Sequence, residues 1–361
     1  MPAPTLFTPT ALGSLSLRNR IVMSPMTRSR CEEANAPNDL MAEYYGQRAG
    51  AGLIIAEGTS PAPNGAGYPR TPGLWSARQL DGWRKVTGTV HTRGGSIFVQ
   101  LMHTGRVGHP ANLPSGGVVM APSAVAAAGK IYTDALGMQA YPVPQAMTEA
   151  DIRSTIEEYA QAARNAMAAG FDGVELHGAN GYLIEQFLNP EANQRTDAWG
   201  ASVGGRIRFA IEVARATAGA IGAGRVGIRL SPYGVHPGMG STAARDETFT
   251  ALLAELAGSG IQYLHVQEPS AVGAPEVPAS VKRALRANWP RTFIVAGGFD
   301  RFTAEAALAE DRGDLVAFGR AFLANPDLVW RLERGLALNE PDPSTFYTLG
   351  AKGYTDYPTA A

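Results

Sequence analysis

Eight short runs of β-branched and apolar residues recur along the chain: Ile21–Met23, Leu53–Ala56, Ser96–Leu101, Gly173–Leu176, Val226–Leu230, Tyr263–Val266, Phe293–Ala296 and Leu315–Phe318. Amphipathic segments long enough for helices separate them: Asp39–Gly50, Ala77–Arg93, Thr148–Gly170, Gly205–Gly222, Asp246–Gly258, Val277–Ala287, Thr303–Asp311 and Pro326–Gly335. Several of these end on glycine, the usual residue past a helix C-terminus. Near-continuous apolar strands alternating with helices are parallel strands buried on both faces. Eight such units predict an α/β fold, a single (β/α)8 TIM barrel occupying residues 1–361 as one domain. The competing doubly wound open sheet wants a dinucleotide fingerprint after the first strand, and none stands there. Two segments fall outside the alternation. Phe7–Leu17 reads as a hairpin around Leu12-Gly13-Ser14 that plugs the barrel bottom. His103–Met147, rich in Gly, Pro, Ala and Ser, follows the third strand; loops of that length are usually lids or binding loops.

Charge and cysteine content remove several function classes. The 31 basic and 32 acidic side chains leave a net charge of −1, and no Lys/Arg tract exists. Nucleic acid and anionic membranes are therefore not expected as partners. No apolar stretch reaches the ~18–20 residues of a membrane span. The opening MPAPTLFTPT lacks the basic-then-apolar order of a secretory signal, so a cytoplasmic location is expected. The single cysteine, Cys31, excludes internal disulfides and cysteine-ligated clusters, and no histidine pair has metal-ligand spacing.

Barrels carry their reactive groups just past the C-terminal ends of the strands. Glycines close strands seven (Gly297, Gly298) and eight (Gly319, with Arg320 next), an arrangement suited to a phosphate. Gln100 and Arg229 are polar residues on otherwise apolar strands. Each needs a partner, either each other or a polar ring system in the barrel mouth. His177, Asn180 and Tyr182 follow strand four within a few residues. An imidazole and an amide can donate to one carbonyl oxygen, and a phenol with a reference pKa of ~10 can deliver a proton. Gly222-Ala223-Gly224-Arg225-Val226-Gly227 fits G-x-G-x-x-G but precedes a strand, so it reads as a helix-to-strand turn. Cys31 reads as an inert thiol.

These residues, in this order, resemble the old yellow enzyme family of FMN-dependent ene-reductases. The resemblance covers nearly the whole chain. It is carried by Arg20-Ile21-Val22-Met23-Ser24-Pro25-Met26-Thr27-Arg28, Gln100-Leu101-Met102-His103-Thr104-Gly105-Arg106, Phe171-Asp172-Gly173-Val174-Glu175-Leu176-His177, Gly181-Tyr182-Leu183-Ile184, Asn193-Gln194-Arg195-Thr196-Asp197, Ala317-Phe318-Gly319-Arg320 and Gly353-Tyr354-Thr355-Asp356-Tyr357-Pro358. It is most similar to the bacterial N-ethylmaleimide and nitrate-ester reductase branch.

The resemblance implies bound FMN across the barrel mouth, with NADPH or NADH as a transient reductant. Pro25 and Met26 would line the ring, and Thr27 would hydrogen-bond its O4. Gly58, where the family usually has alanine, would lie against it. Gln100 would bind the pyrimidine edge, and Arg229 would face N1 and O2. Gly297, Gly298, Gly319 and Arg320 would hold the phosphate. His177 and Asn180 would polarise the substrate through its carbonyl or nitro oxygen, and Tyr182 would protonate the α-carbon in a ping-pong cycle. Tyr68, Met102 and Tyr347 match pocket-lining positions; Met102 stands where tryptophan is frequent, which implies a roomier pocket. The implied partners are small electron-poor alkenes (enones, maleimides, nitroalkenes), and the implied assembly is a monomer or homodimer.

Other readings meet obstacles in the sequence. Barrel relatives with an iron–sulfur cluster need several cysteines. A flavin-free lyase or isomerase needs a lysine or carboxylate base at a strand end, and no lysine stands at one. A flavin carrier without catalysis leaves His177, Asn180 and Tyr182 unexplained.

Overall fold

The computed structural model describes residues 5–234, 239, 245–268 and 276–360. In chain order the strands are β1 (Thr10–Leu12), β2 (Leu15–Leu17), β3 (Ile21–Met23), β4 (Leu53–Thr59), β5 (Ile97–Leu101), β6 (Met120–Ala121), β7 (Lys130–Thr133), β8 (Gly137–Ala140), β9 (Gln145–Ala146), β10 (Gly173–Gly178), β11 (Val226–Leu230), β12 (Tyr263–Gln267), β13 (Thr292–Ala296) and β14 (Leu315–Phe318). The eight predicted runs are β3, β4, β5 and β10 to β14, and they close into one parallel barrel in that order. Their burial is nearly uniform, as apolar strands covered on both faces require.

Helices fill the gaps between strands: α1 (Asp39–Gln47), α2 (Ala77–Thr92), α3 (Glu149–Ala168), α4 (Leu183–Leu188), α5 (Val203–Ile221), α6 (Arg245–Gly258), α7 (Ala279–Ala287), α8 (Arg301–Ala309), α9 (Arg320–Ala324) and α10 (Leu328–Arg334). Their starts are locally encoded. Ser76 and Gln79 form a reciprocal capping box on α2, and Thr148 and Asp151 form one on α3. The short helices α4 and α9 were not expected, because neither is long enough to show a helical period. Residues 222–227 do form a turn from α5 into β11, as the order of elements predicts.

The interior at the N-terminal end of the barrel is apolar. Leu12 and Leu17 of the hairpin pack with Leu53, Phe98, Tyr263 and Leu315, which are the first or second residues of their strands, so β1–β2 is the expected plug at the N-terminal end. At Gly227 a Cβ would sit 2.1 Å from the Tyr263 ring, so only glycine leaves room for that ring inside the barrel. At the opposite end, His103–Met147 is ordered as the antiparallel β7–β8 hairpin and the β6–β9 pair.

Three buried arginines fasten the C-terminal segment beside this end. Arg28 donates to the Gly353 carbonyl (2.7 Å), Arg30 to that of Thr345 (2.8 Å) and Arg48 to that of Tyr354 (3.4 Å). Tyr354 stacks on Tyr44 at 4.0 Å. The clamp fixes where Tyr347 stands. Among the described residues, no helix is long and apolar enough to cross a membrane.

The barrel wall sets a first test. Leu264 is fully buried among the strand and helix side chains. Leu264→Ala should cost about 2–5 kcal/mol of unfolding free energy in urea denaturation. A loss below about 1 kcal/mol would mean the wall is not packed as described.

Candidate active site

A cavity of about 860 Å³ opens at the C-terminal ends of the strands. From the barrel come Pro25, Thr27, Gln100, Met102, His177 and Arg229; the β10–α4 turn adds Asn180 and Tyr182. Tyr68 follows β4. Ile131, Tyr132, Met138 and Tyr141 reach in from the long segment after β5. Tyr347 comes from the clamped C-terminal segment. Its charged lining residues are Arg70, Lys130 and Arg229, with no carboxylate among the described lining residues. A larger cavity, about 1160 Å³, lies between α7 and β13 and contains none of the strand-end candidates except Gly297.

The turn after β10 is built to present two side chains. Asn180 and Gly181 are both left-handed, with φ of 60° and 78°. Asparagine and glycine are the residues that tolerate this conformation best. Backbone partners hold it. The Gly181 N–H donates to the Glu185 carboxylate (2.6 Å), and the Asn180 N–H donates to Ser231 Oγ (2.9 Å). Gln186 donates to the Gly181 and Thr104 carbonyls. The Asn180 Oδ1 is buried without a partner among the described residues.

His177 occupies the end of β10, one residue farther along a strand than the apolar pattern indicates, and pairs in register with Arg229. Its Nδ1 accepts the Ala179 N–H at 3.4 Å, so a neutral ring carries its proton on Nε2. The Tyr182 ring packs edge-on against His177 at 4.9 Å, and its hydroxyl lies 3.2 Å from that of Tyr68. Burial pushes the Tyr182 phenol up to about 12, while the hydrogen bond with Tyr68 pulls it down. Tyr182 is thus protonated throughout the neutral range.

Beneath these groups, Gln100 donates Nε2 to Glu175 Oε1 (2.9 Å), and His265 Nδ1 meets Glu175 Oε2 (2.8 Å). Arg229 is 7% exposed, and its Nε has no partner among the described residues. A buried cation facing a cavity without carboxylates calls for an anionic or strongly polar ligand.

The remaining candidates divide. At Gly58 a Cβ would come within 2.6 Å of the Met102 sulfur, so these two residues share one space and the methionine occupies it. Met26 lies outside the lining and approaches Gly319, where a Cβ would be 3.6 Å from its sulfur. Gly298, left-handed at φ 70°, and exposed Arg320 stand past β13 and β14, also outside the lining. Cys31 is buried, with its thiol pKa raised by burial. Among the described residues, no cluster of three or more His, Cys, Asp or Glu could hold a metal.

A closed parallel barrel whose mouth gathers an unpaired buried cation, amide and hydroxyl groups and a protonated phenol has the donor set of a flavin-dependent barrel oxidoreductase. Known proteins agree. A solved morphinone reductase in complex with tetrahydroNAD superimposes with a TM-score of 0.94 at 44% identity, over 99% of this chain and 98% of that one. Chanoclavine-I aldehyde reductase of Penicillium roqueforti is 42% identical over 99% of this chain and 96% of its own. A probable flavin mononucleotide-dependent alkene reductase of Leishmania infantum is 41% identical over 97% and 96%. The NADH:flavin oxidoreductase / NADH oxidase family model matches residues 5–339. The chain belongs to that family and is an FMN-dependent oxidoreductase of the old yellow enzyme type.

The residues present fit FMN. The Arg229 guanidinium has no anion of the protein's own among the described lining residues, and the Gln100 amide and Thr27 hydroxyl line the same cavity. The composition did not point to Glu175, His265, Glu185 or Ser231. A charged residue in the buried run Gly173–Leu176 was the available signal for Glu175, by the same logic that singled out Gln100 and Arg229.

Glu185 supplies a pH test. Burial raises its carboxyl from 4.5 to about 7, against the opposing hydrogen bonds from Gly181 and Ser231. A raised carboxyl favours the protonated fold. Its contribution is full below the unfolded value near 4.5 and is lost as pH rises through about 7. Glu185→Gln should remove on the order of 3 kcal/mol of that stability change between pH 4.5 and 8. Parallel pH dependences in the variant and parent would contradict the assignment.

Proposed function

We propose that this cavity reduces C=C bonds activated by a carbonyl or nitro group, using NADPH or NADH, in a ping-pong cycle through one shared pocket. FMN, when bound, supplies the hydride exchange between nicotinamide and alkene. Pro25, Met26, Thr27 and Gly58 would take its ring, Gln100 and Arg229 its pyrimidine edge, and Gly297, Gly298, Gly319 and Arg320 its phosphate. The positive charge of Arg229 favours electron density at that edge.

The chain's own work on the substrate falls to three residues. His177 through Nε2–H and Asn180 through its amide hold the carbonyl or nitro oxygen and draw charge onto it, which makes the β-carbon electrophilic. Tyr182 holds its proton at neutral pH and gives it to the α-carbon as charge develops there. The aromatic and methionine side chains of Tyr68, Met102, Tyr141 and Tyr347 exclude water and orient a flat, conjugated substrate. The alkene and aldehyde reductases among the relatives support this substrate class. The observation that carries the reading is the convergence of His177, Asn180 and Tyr182 on one cavity that also contains the unpaired Arg229.

The purified protein should be yellow, bleach with NADPH under anaerobic conditions and recover its colour on addition of 2-cyclohexenone. A colourless protein that FMN cannot reconstitute would sink the proposal. Tyr182→Phe should slow recovery by about 10²-fold or more, and by far more than it slows bleaching. If bleaching suffers as much, Tyr182 is not the proton donor. His177→Ala should weaken binding of a phenol, titrated by its perturbation of the flavin spectrum, at least about tenfold.

A further inference from the structure

Glu175 lies on the barrel floor, fully buried, and the reaction as described gives it no task. Its two oxygens are both engaged by nitrogen, Gln100 Nε2 at 2.9 Å and His265 Nδ1 at 2.8 Å. Gln100 and Glu175 come from the adjacent strands β5 and β10, and His265 from β12, with β11 between it and β10. Glu175 is registered with Gln100 of β5, and Arg229 of β11 is registered with His177 on one side and His265 on the other. Arg229 makes no ion pair among the described residues, and Glu175 is the first charge that offsets the effect of burial on its guanidinium. Burial holds His265 below the ordinary histidine pKa, with Glu175 opposing. A neutral ring then donates Nδ1–H and adds no charge.

Two consequences follow from elementary chemistry. An ionised carboxylate accepts hydrogen bonds and cannot donate them. Gln100 must therefore turn its NH2 toward Glu175 and its carbonyl oxygen away, and Gln100 lines the cavity. A flavin pyrimidine ring carries one N–H between two carbonyl oxygens, so an outward-facing amide oxygen is the complement its N–H needs. Separately, a fixed negative charge on the floor opposes the field of Arg229 at the same edge.

We propose that Glu175 is a positioning residue for the cofactor: it fixes the Gln100 amide with its oxygen toward the flavin N–H, and its charge tempers Arg229 so that reduced FMN is not held too tightly. This rests on the FMN-binding reading above. No step of the alkene reduction passes through Glu175, and its effect is on which form of FMN the apoprotein prefers.

The test is a pair of dissociation constants, for oxidised and for reduced FMN, measured on apoprotein of the parent, Glu175→Gln and Glu175→Asp. Glu175→Gln removes the charge and keeps the shape. It should bind oxidised FMN several-fold more weakly, while the preference for reduced over oxidised FMN rises about tenfold, equivalent to about +30 mV in the two-electron potential. Glu175→Asp keeps the charge and shortens its reach. It should also bind oxidised FMN more weakly, with its reduced-to-oxidised preference within about threefold of the parent. An unchanged preference in Glu175→Gln, or equal changes in both variants, overturns the charge role. Should Glu175→Gln fail to fold, oxidised FMN binding Glu175→Asp as tightly as the parent overturns the positioning role. A parent that binds neither form refutes the FMN reading itself, which separates the two failures.

Discussion

Closing eight parallel strands into a barrel leaves no free edge and points every strand the same way. All the loops that follow strands then meet at one mouth, and everything chemical about this chain depends on that convergence. His177 and Arg229 are far apart in sequence, yet they are registered neighbours on β10 and β11. The other end is sealed by the β1–β2 hairpin over an apolar plug, and between plug and mouth Glu175 and His265 form a buried polar floor.

That floor explains why the site needs so many positioning contacts. A buried guanidinium is costly unless something opposes it. Glu175 offsets Arg229 from below, and the cavity side is left for a ligand. The same economy governs the β10–α4 turn, where two left-handed residues are held by Glu185, Ser231 and Gln186 so that Asn180 and Tyr182 face inward. The rim is assembled from distant parts of the chain. Tyr68, the β7–β8 hairpin and the arginine-clamped C-terminal segment each deliver an aromatic side chain to the same opening.

Much of this was legible in the sequence because it is local. Strand runs, the hairpin glycine and the length of the 103–147 segment each carry their own signature. His177, Asn180 and Tyr182 were legible because three donors stand within six residues of the chain. What escaped is long-range or short. Helices α4 and α9 have too few residues for a period. The partners of Glu175 lie 75 and 90 residues away, and the Thr345 carbonyl that receives Arg30 lies 315 residues away, separations that no pattern of neighbours reveals. Gly58 and Met102 read as two separate departures from the family pattern. In space they share one volume, the missing methyl at 58 making room for the methionine.

The central claim is that one cavity holds the flavin edge against Gln100 and Arg229 and the acceptor oxygen between His177 and Asn180. A crystal structure of the FMN-loaded protein soaked with a phenol tests it most directly, since a phenol oxygen occupies the place of the substrate's oxygen. The account predicts the flavin pyrimidine ring beside Arg229 and the phenol oxygen within ~3.2 Å of a nitrogen of both His177 and Asn180. A flavin seated in the α7–β13 cavity, or a phenol oxygen that meets neither residue, would contradict it.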